Sequence, residues 1–281
     1  MMTRLVTNPM ISKELRQRLR ERRAWLLPTL YLLVVSGTVL FAYYVTTDPE
    51  MQGAQREVQG ADIGLAIFLT AVFTQMIVLL LMAPVFSAGS ITIEKEQRTL
   101  AGLLTSLLSV PQIWWGKFVT ALLFLLLLLS SALPMLALSF AFGGVEPMQL
   151  IRATASTVLV LAAICAVGLW CSAMFRRSIH ATASCYGIVL VLSVVTAVVF
   201  GILLSRWSSH DTYLLRRAEG PPAYVQAPLF LNPLYPLLSM MDDEDFRQFI
   251  YPASSWMLFA AMGCLAAAFT MRRLQRSGEQ L

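Results

Sequence analysis

Six stretches of this chain run long enough without a charged side chain to cross a bilayer, and that leaves very few folds open. They cover 24–47, 63–93, 118–145, 153–175, 178–205 and 248–271. A spanning helix needs about 20 apolar residues. Inside hydrocarbon every backbone N–H and C=O must find a partner within the protein, so only helices and closed barrels cross. Barrel strands alternate apolar and polar residues, and these runs do not. Composition agrees. The chain is 57% hydrophobic and 13% charged, whereas soluble domains carry about 25% charged residues. The expectation is an all-α membrane protein forming one domain over 1–281, with spans at 24–47, 63–88, 118–142, 153–175, 179–205 and 251–271.

Lys and Arg in the connections set the orientation. Segment 1–23, the second and fourth connections and the C-terminal tail hold fifteen of the 21 basic residues. That side is expected to be cytoplasmic, with both termini on it, in the inner (cytoplasmic) membrane of the cell. The net charge of +5 then reflects topology and gives no reason to expect nucleic acid. The first run is too long for a signal peptide, and no A-x-A-like site follows it, so it reads as a retained span. Cys165, Cys171, Cys185 and Cys264 all fall inside predicted spans without C-x-x-C spacing, which points to apolar packing rather than metal or disulfide chemistry.

Segment 1–23 begins with an N-cap at Asn8 and Pro9 at the first helical position. Ile11, Leu15 and Leu19 then repeat among arginines. This predicts a basic amphipathic helix on the membrane surface. Segment 206–250 is the one long connection expected outside the cell. Pro221, Pro222, Pro228, Pro233 and Pro236 forbid a long helix there. Tyr224, Phe230, Leu231 and Tyr235 are too apolar for a free loop, so short interfacial or re-entrant pieces are expected. Asp242 to Asp245 read as a solvated acidic patch, without the spacing of a calcium loop.

The span interiors hold no acidic, basic or His residue of the kind that binds a coupling ion. Gln75, Ser130, Ser131, Thr154, Thr157, Ser172, Thr182 and Ser184 are the polar residues that remain, and most are expected to bond between helices. Pro84 and Pro134 are expected to kink the second and third spans. Ala260, Gly263 and Ala267 put a small-residue face on the last.

Between spans 2 and 3 lies SITIEKEQRTLAGLLTSLL. Leu100, Leu103, Leu104, Leu107 and Leu108 follow helical spacing, and Glu94 can pair with Arg98 four residues on. The pattern predicts an amphipathic helix over 90–109. Its leading charges are mixed, whereas a lipid-seeking helix would be mainly basic, so a protein partner fits better than a lipid surface.

These residues resemble the permeases of the ABC type-2 exporter family. The family pattern has Glu, a basic residue, Glu, a variable residue, then Gly-Thr-Leu, Leu-Leu and a later Gly-Lys. Glu94, Lys95, Glu96, Thr99, Leu100, Leu103, Leu104, Gly116 and Lys117 match in order and spacing. Lys13, Glu14, Leu15 and Arg20 resemble the family's N-terminal segment, and LNPLYPL resembles a segment that precedes the last span. With six spans, the resemblance covers essentially the whole chain. The chain departs from the pattern at Arg98, where the family has glycine, and at Leu107, where a proline is expected and Pro111 comes later.

The resemblance implies that the connector is a coupling helix docking on a separate ATPase subunit. Glu94, Lys95, Glu96, Arg98, Thr99, Leu100, Leu103 and Leu104 would form that surface. It also implies a second permease chain, identical or related, and ATP and magnesium bound by the partner rather than here. The sequence agrees that the chain has no phosphate loop: Gly116-Lys117 has Pro111 where the first glycine belongs and Phe118 after the lysine. Three alternatives stay open at this point. They are a secondary transporter or channel, an intramembrane enzyme, and an ABC-type complex doing mechanical work without transport.

Overall fold

The computed structural model describes residues 23–48, 60–100, 102, 109–208, 223–238 and 252–278. Among these residues there is no strand, and six helical segments are long and apolar enough to cross a membrane. In chain order the elements are α1 (Arg23–Thr47), α2 (Gly60–Ser87), α3 (Thr92–Glu96), α4 (Val110–Ser131), α5 (Leu133–Phe142), α6 (Pro147–Met174), α7 (Ser178–Leu190), a π-turn (Val191–Val195), α8 (Thr196–Ser208), α9 (Ala223–Phe230), α10 (Tyr235–Leu238) and α11 (Pro252–Gly278). The spans are α1, α2, α4 with α5, α6, α7 through α8, and α11. The predicted N-terminal amphipathic helix, with Lys13, Glu14, Leu15 and Arg20, lies outside the described residues. So do 209–222 and the acidic run at Asp242.

Two spans begin more than a helical turn before the charge-free runs. α4 opens at Val110 and α6 at Pro147, each behind a capping box, Ser109 with Gln112 and Glu146 with Gln149. Such reciprocal bonds satisfy orphan N–H groups of the first turn. The helices therefore carry Lys117 and Arg152, which a charge-free criterion places outside them. Span 3 breaks after Ser131, and Pro134 sits in the first turn of the helix that follows.

α6 is the core of the bundle. The most apolar stretch of α6 is 72% buried, against 11% in span 5 and 17% in span 1. It packs along α11 and also against α2, α7 and α4. Small residues permit this, because lipid tails are as apolar as the side chains and close backbone approach must drive association. Gly263 of α11 faces Ala163 of α6 and Ala267 packs on a neighbouring apolar cluster with Ala266 and Leu274, so much of the predicted small-residue face packs inside the bundle; Ala260 is exposed. Cys165, Cys171 and Cys185 are buried thiols and Cys264 is exposed, none of them in a disulfide. Most of the span hydroxyls behave differently from expectation. Ser130, Ser131, Thr154 and Thr157 each donate to a carbonyl of their own helix, the local back-bonding open to Ser and Thr.

One of the tightest approaches is between Gly168 of α6 and the end of α2. A Cβ there would sit 1.9 Å from Ser87 Oγ and 2.7 Å from Ser87 Cβ. Gly168→Ala is expected to cost about 1–3 kcal/mol by overpacking, lowering the thermal midpoint of the purified chain in detergent. Gly187→Ala, where a Cβ meets nothing within 4 Å, should leave the midpoint unchanged or raise it.

Candidate functional site

The connector after α2 is not one helix over 90–109. The chain turns at 88–91, forms the single turn α3, and breaks at 97–99. The break is a Schellman cap. Thr99 N–H donates to Glu94 O at 2.9 Å and Arg98 N–H to Lys95 O at 3.2 Å, the 6→1 and 5→2 bonds of that motif. The residue after the cap must then be left-handed, and Arg98 is, at φ 58°. This is the position at which the family pattern carries glycine. Leu100 resumes helix and packs, half-buried, on an apolar cluster with Trp114, Cys171 and Leu274. Leu103, Leu104, Leu107 and Leu108 lie outside the described residues.

α3 is held by other spans at every polar position that faces inward. Its first N–H groups have no partner within so short a helix. Ser172 of α6, fully buried, supplies one: Ile91 N–H and Thr92 N–H donate to its Oγ at 2.8 and 3.0 Å. Ser172 is thus the interhelical bond its residue type suggested.

The three charges of the EKE triplet go to three different spans. Glu94 Oε1 accepts from Lys117 Nζ of α4 at 2.6 Å. Lys117 also donates to Ser90 O at 2.8 Å, and its side chain is only 3% exposed. The expected Glu94–Arg98 pair does not form, because the left-handed turn at Arg98 interrupts the helical spacing such a pair needs. Lys95 Nζ donates to the carbonyls of Ser172, Ala173 and Phe175 at 3.0, 2.6 and 3.0 Å. An ammonium has three donors, and here all three go to the end of α6. They satisfy orphan carbonyls, and the cation sits at the negative end of the helix dipole. Glu96 Oε1 accepts from Ser178 N–H at 2.6 Å and Ser178 Oγ–H at 3.0 Å. That carboxylate caps the positive end of α7.

One five-residue helix is therefore joined covalently to span 2 and by charge-assisted bonds to spans 3, 4 and 5. Lys95 lies within electrostatic reach of Arg176 and Arg273, so the connector, the α6–α7 turn and the last turns of α11 share one basic end of the bundle. Beside α3, Trp114 stacks on Phe118 with ring centroids 4.9 Å apart, and Trp115 stands edge-on to the same ring. Tryptophans of this kind mark a membrane–water boundary. What remains on the outer face of the connector is Ile93, 46% exposed, with Glu96, Gln97, Arg98 and Thr99.

The triplet that the resemblance assigns to a partner surface also bonds within the chain, and spacing does not reveal those bonds. It gives no sign of Lys117 and Ser178 as the receivers. The readable signal was the pair of opposite charges, Glu94 and Lys117, in segments that are otherwise apolar.

Two outcomes follow. Glu94→Gln leaves a buried ammonium without its carboxylate, and should lower stability by about 3 kcal/mol. Adding Lys117→Met should recover most of that loss, as read by unfolding of the single and double variants. Arg98→Gly relieves a side chain held at positive φ and should raise stability by about 1 kcal/mol, visible as a higher thermal midpoint.

Residues 9–241 match the family described as ABC-2 family transporter protein. No curated protein matches the chain.

Proposed function

Because the chain belongs to the ABC-2 family of transporter proteins, we propose that this multi-pass ABC permease is the membrane subunit of an ATP-driven exporter. It takes its energy from a separate ATPase subunit. The ATP and magnesium sites, and with them all hydrolysis, belong to that partner. The basic end faces the cytoplasm of an inner (cytoplasmic) membrane, an orientation that the distribution of Lys and Arg supports. A second permease chain, identical or related, completes the pathway for a substrate moved outward.

The observation that carries this reading is the three-way attachment of α3. A coupling element must receive a push and pass it to the spans without giving way. α3 is joined to the ends of four spans, and three of those joints use charged groups. Charge-assisted hydrogen bonds are roughly twice as strong as neutral ones. The roles within the connector divide accordingly. Ile93, Gln97, Arg98 and Thr99 are the surface offered to the ATPase, with Leu103 and Leu104 extending it. Glu94, Lys95 and Glu96 transmit, binding the connector to spans 3, 4 and 5 instead of to the partner. Leu100 seats the connector on the bundle.

The division is testable with tagged permease purified from native membranes and the co-purified ATPase quantified. Arg98→Glu should lower ATPase recovery at least tenfold, since a reversed charge against a complementary surface costs more than about 1.4 kcal/mol, and it should leave the unfolding midpoint close to that of the native chain. Lys95→Met should do the reverse, retaining the ATPase while lowering the midpoint and slowing ATP hydrolysis by the complex. Equal recovery of the ATPase with native and Arg98→Glu chains would refute the assigned docking surface.

A further inference from the structure

Span 5 contains a π-turn at Val191–Val195, none of whose residues is fully buried, although Leu192 packs half-buried on the core. π-turns are rare and tend to mark functional positions. Here the backbone records the defect directly: Thr196 N–H donates to Val191 O, five residues back. Leu192 O has thereby lost its ordinary helical donor. The Thr196 hydroxyl donates to it instead.

The rest of the account comes from the segment between spans 5 and 6. α9 and α10 are the short pieces that the prolines predict, and the turn between them carries Asn232, 4% exposed. Its Nδ2 donates one proton to Ser193 O at 2.9 Å and the other to Thr196 Oγ1 at 3.0 Å. Its Oδ1 accepts from Leu234 N–H at 2.9 Å, which fixes the amide orientation. Ser193 lies near the middle of span 5, roughly 20 Å along the axis from Ser208, so the segment is re-entrant. Phe230 and Leu231, just before Asn232, wall a cavity of about 440 Å³ together with Val167 and Trp170 of α6, Leu192 and Met262.

We propose that Asn232 is a positioning residue that holds span 5 in its π-turned register and keeps the re-entrant tip closed against this cavity. The stereochemistry couples the two. Were the π-turn to become ordinary α-helix, the chain after Ser193 would turn about the helix axis, and the Thr196 hydroxyl that the Asn232 amide now bridges to Ser193 O would swing out of its reach. Removal of the extra residue turns α8 by about 100° and shifts it about 1.5 Å. α7 stays fixed, because Glu96 holds Ser178. Span 5 is thus a two-register element whose outer half swings when Asn232 lets go, a discrete switch of the kind packed helices allow. This rests on the chain's own hydrogen bonds and stands independently of the ATPase reading.

The test uses the full chain in lipid nanodiscs, in a Cys264→Ser background. Spin labels sit at Ile202 on α8 and Ile151 on α6, both exposed, and their separation is read by double electron–electron resonance. The native chain and Thr196→Ser, which keeps the hydroxyl, should give one narrow distance. Leu231→Ala, which alters the same turn without touching the bonds, should match them. Asn232→Ala and Thr196→Val should each add a second population displaced by on the order of 10 Å, the arc that a 100° rotation gives a label on the helix surface. Native distances in both variants would overturn the proposal. So would the same second population in Thr196→Ser or Leu231→Ala, which would mean general loosening. If Asn232→Ala fails to fold, Thr196→Val decides.

Discussion

A charged group at the rim of an apolar bundle must be paired, or it will pull the rim apart to reach water. Lys95 and Lys117 meet that demand in ways that organise everything around them. Lys95 spends its three donors on the last carbonyls of α6, at the point where that helix has run out of its own N–H partners. Lys117, almost wholly enclosed, faces Glu94 and a backbone carbonyl. Because each bond crosses from the connector to another element, satisfying the charges and building the junction are the same event. Replacement of the triplet by apolar residues would leave Lys117 a buried charge without a carboxylate and would strip the ends of α6 and α7 of their partners from the connector.

From that junction the molecule divides into a stiff part and a movable part. α6 is wrapped by neighbours along most of its length and, at Gly168, takes the Ser87 side chain at the end of α2 directly against its backbone. Span 5 is mostly exposed. It is held at its basic end through Glu96 and Ser178, along α7 by Ala181, Cys185 and Val189 packed inward and by Tyr186 O–H donating to Leu81 O, and at mid-length through Asn232. Displacement delivered to α3 would reach α6 as motion of a packed body. The same displacement would reach span 5 as a pull on one end of a helix that has its own defect halfway along.

The spans were legible because hydrocarbon imposes a length and a polarity that a sequence cannot hide. Their ends were less so. A charge-free criterion stops at Phe118 and Ala153, while the capping boxes at Ser109 and Glu146 state the true starts and were there to be read. The connector was found by its charges and misdrawn by its leucines. A left-handed residue cannot be seen in the spacing, although the family's glycine at the position of Arg98 pointed to one. The prolines of 206–250 correctly announced short pieces at 223–238 but not their depth. That depth depends on one amide meeting one defect in another span, and a π-turn built from valine and leucine has no sequence signature.

The central claim is that α3 and the basic ends of spans 4 and 5 move as one body when the partner ATPase changes state. The direct measurement is the distance between spin labels at Gln97 and Arg176, which flank the junction, in the assembled complex without nucleotide and with ATP trapped. The account predicts one unchanged narrow distance in both states, while labels at Gln97 and Ile202 separate or approach. A shift of several ångströms between Gln97 and Arg176 would contradict it, because the connector would then be sliding over the spans it is claimed to drive.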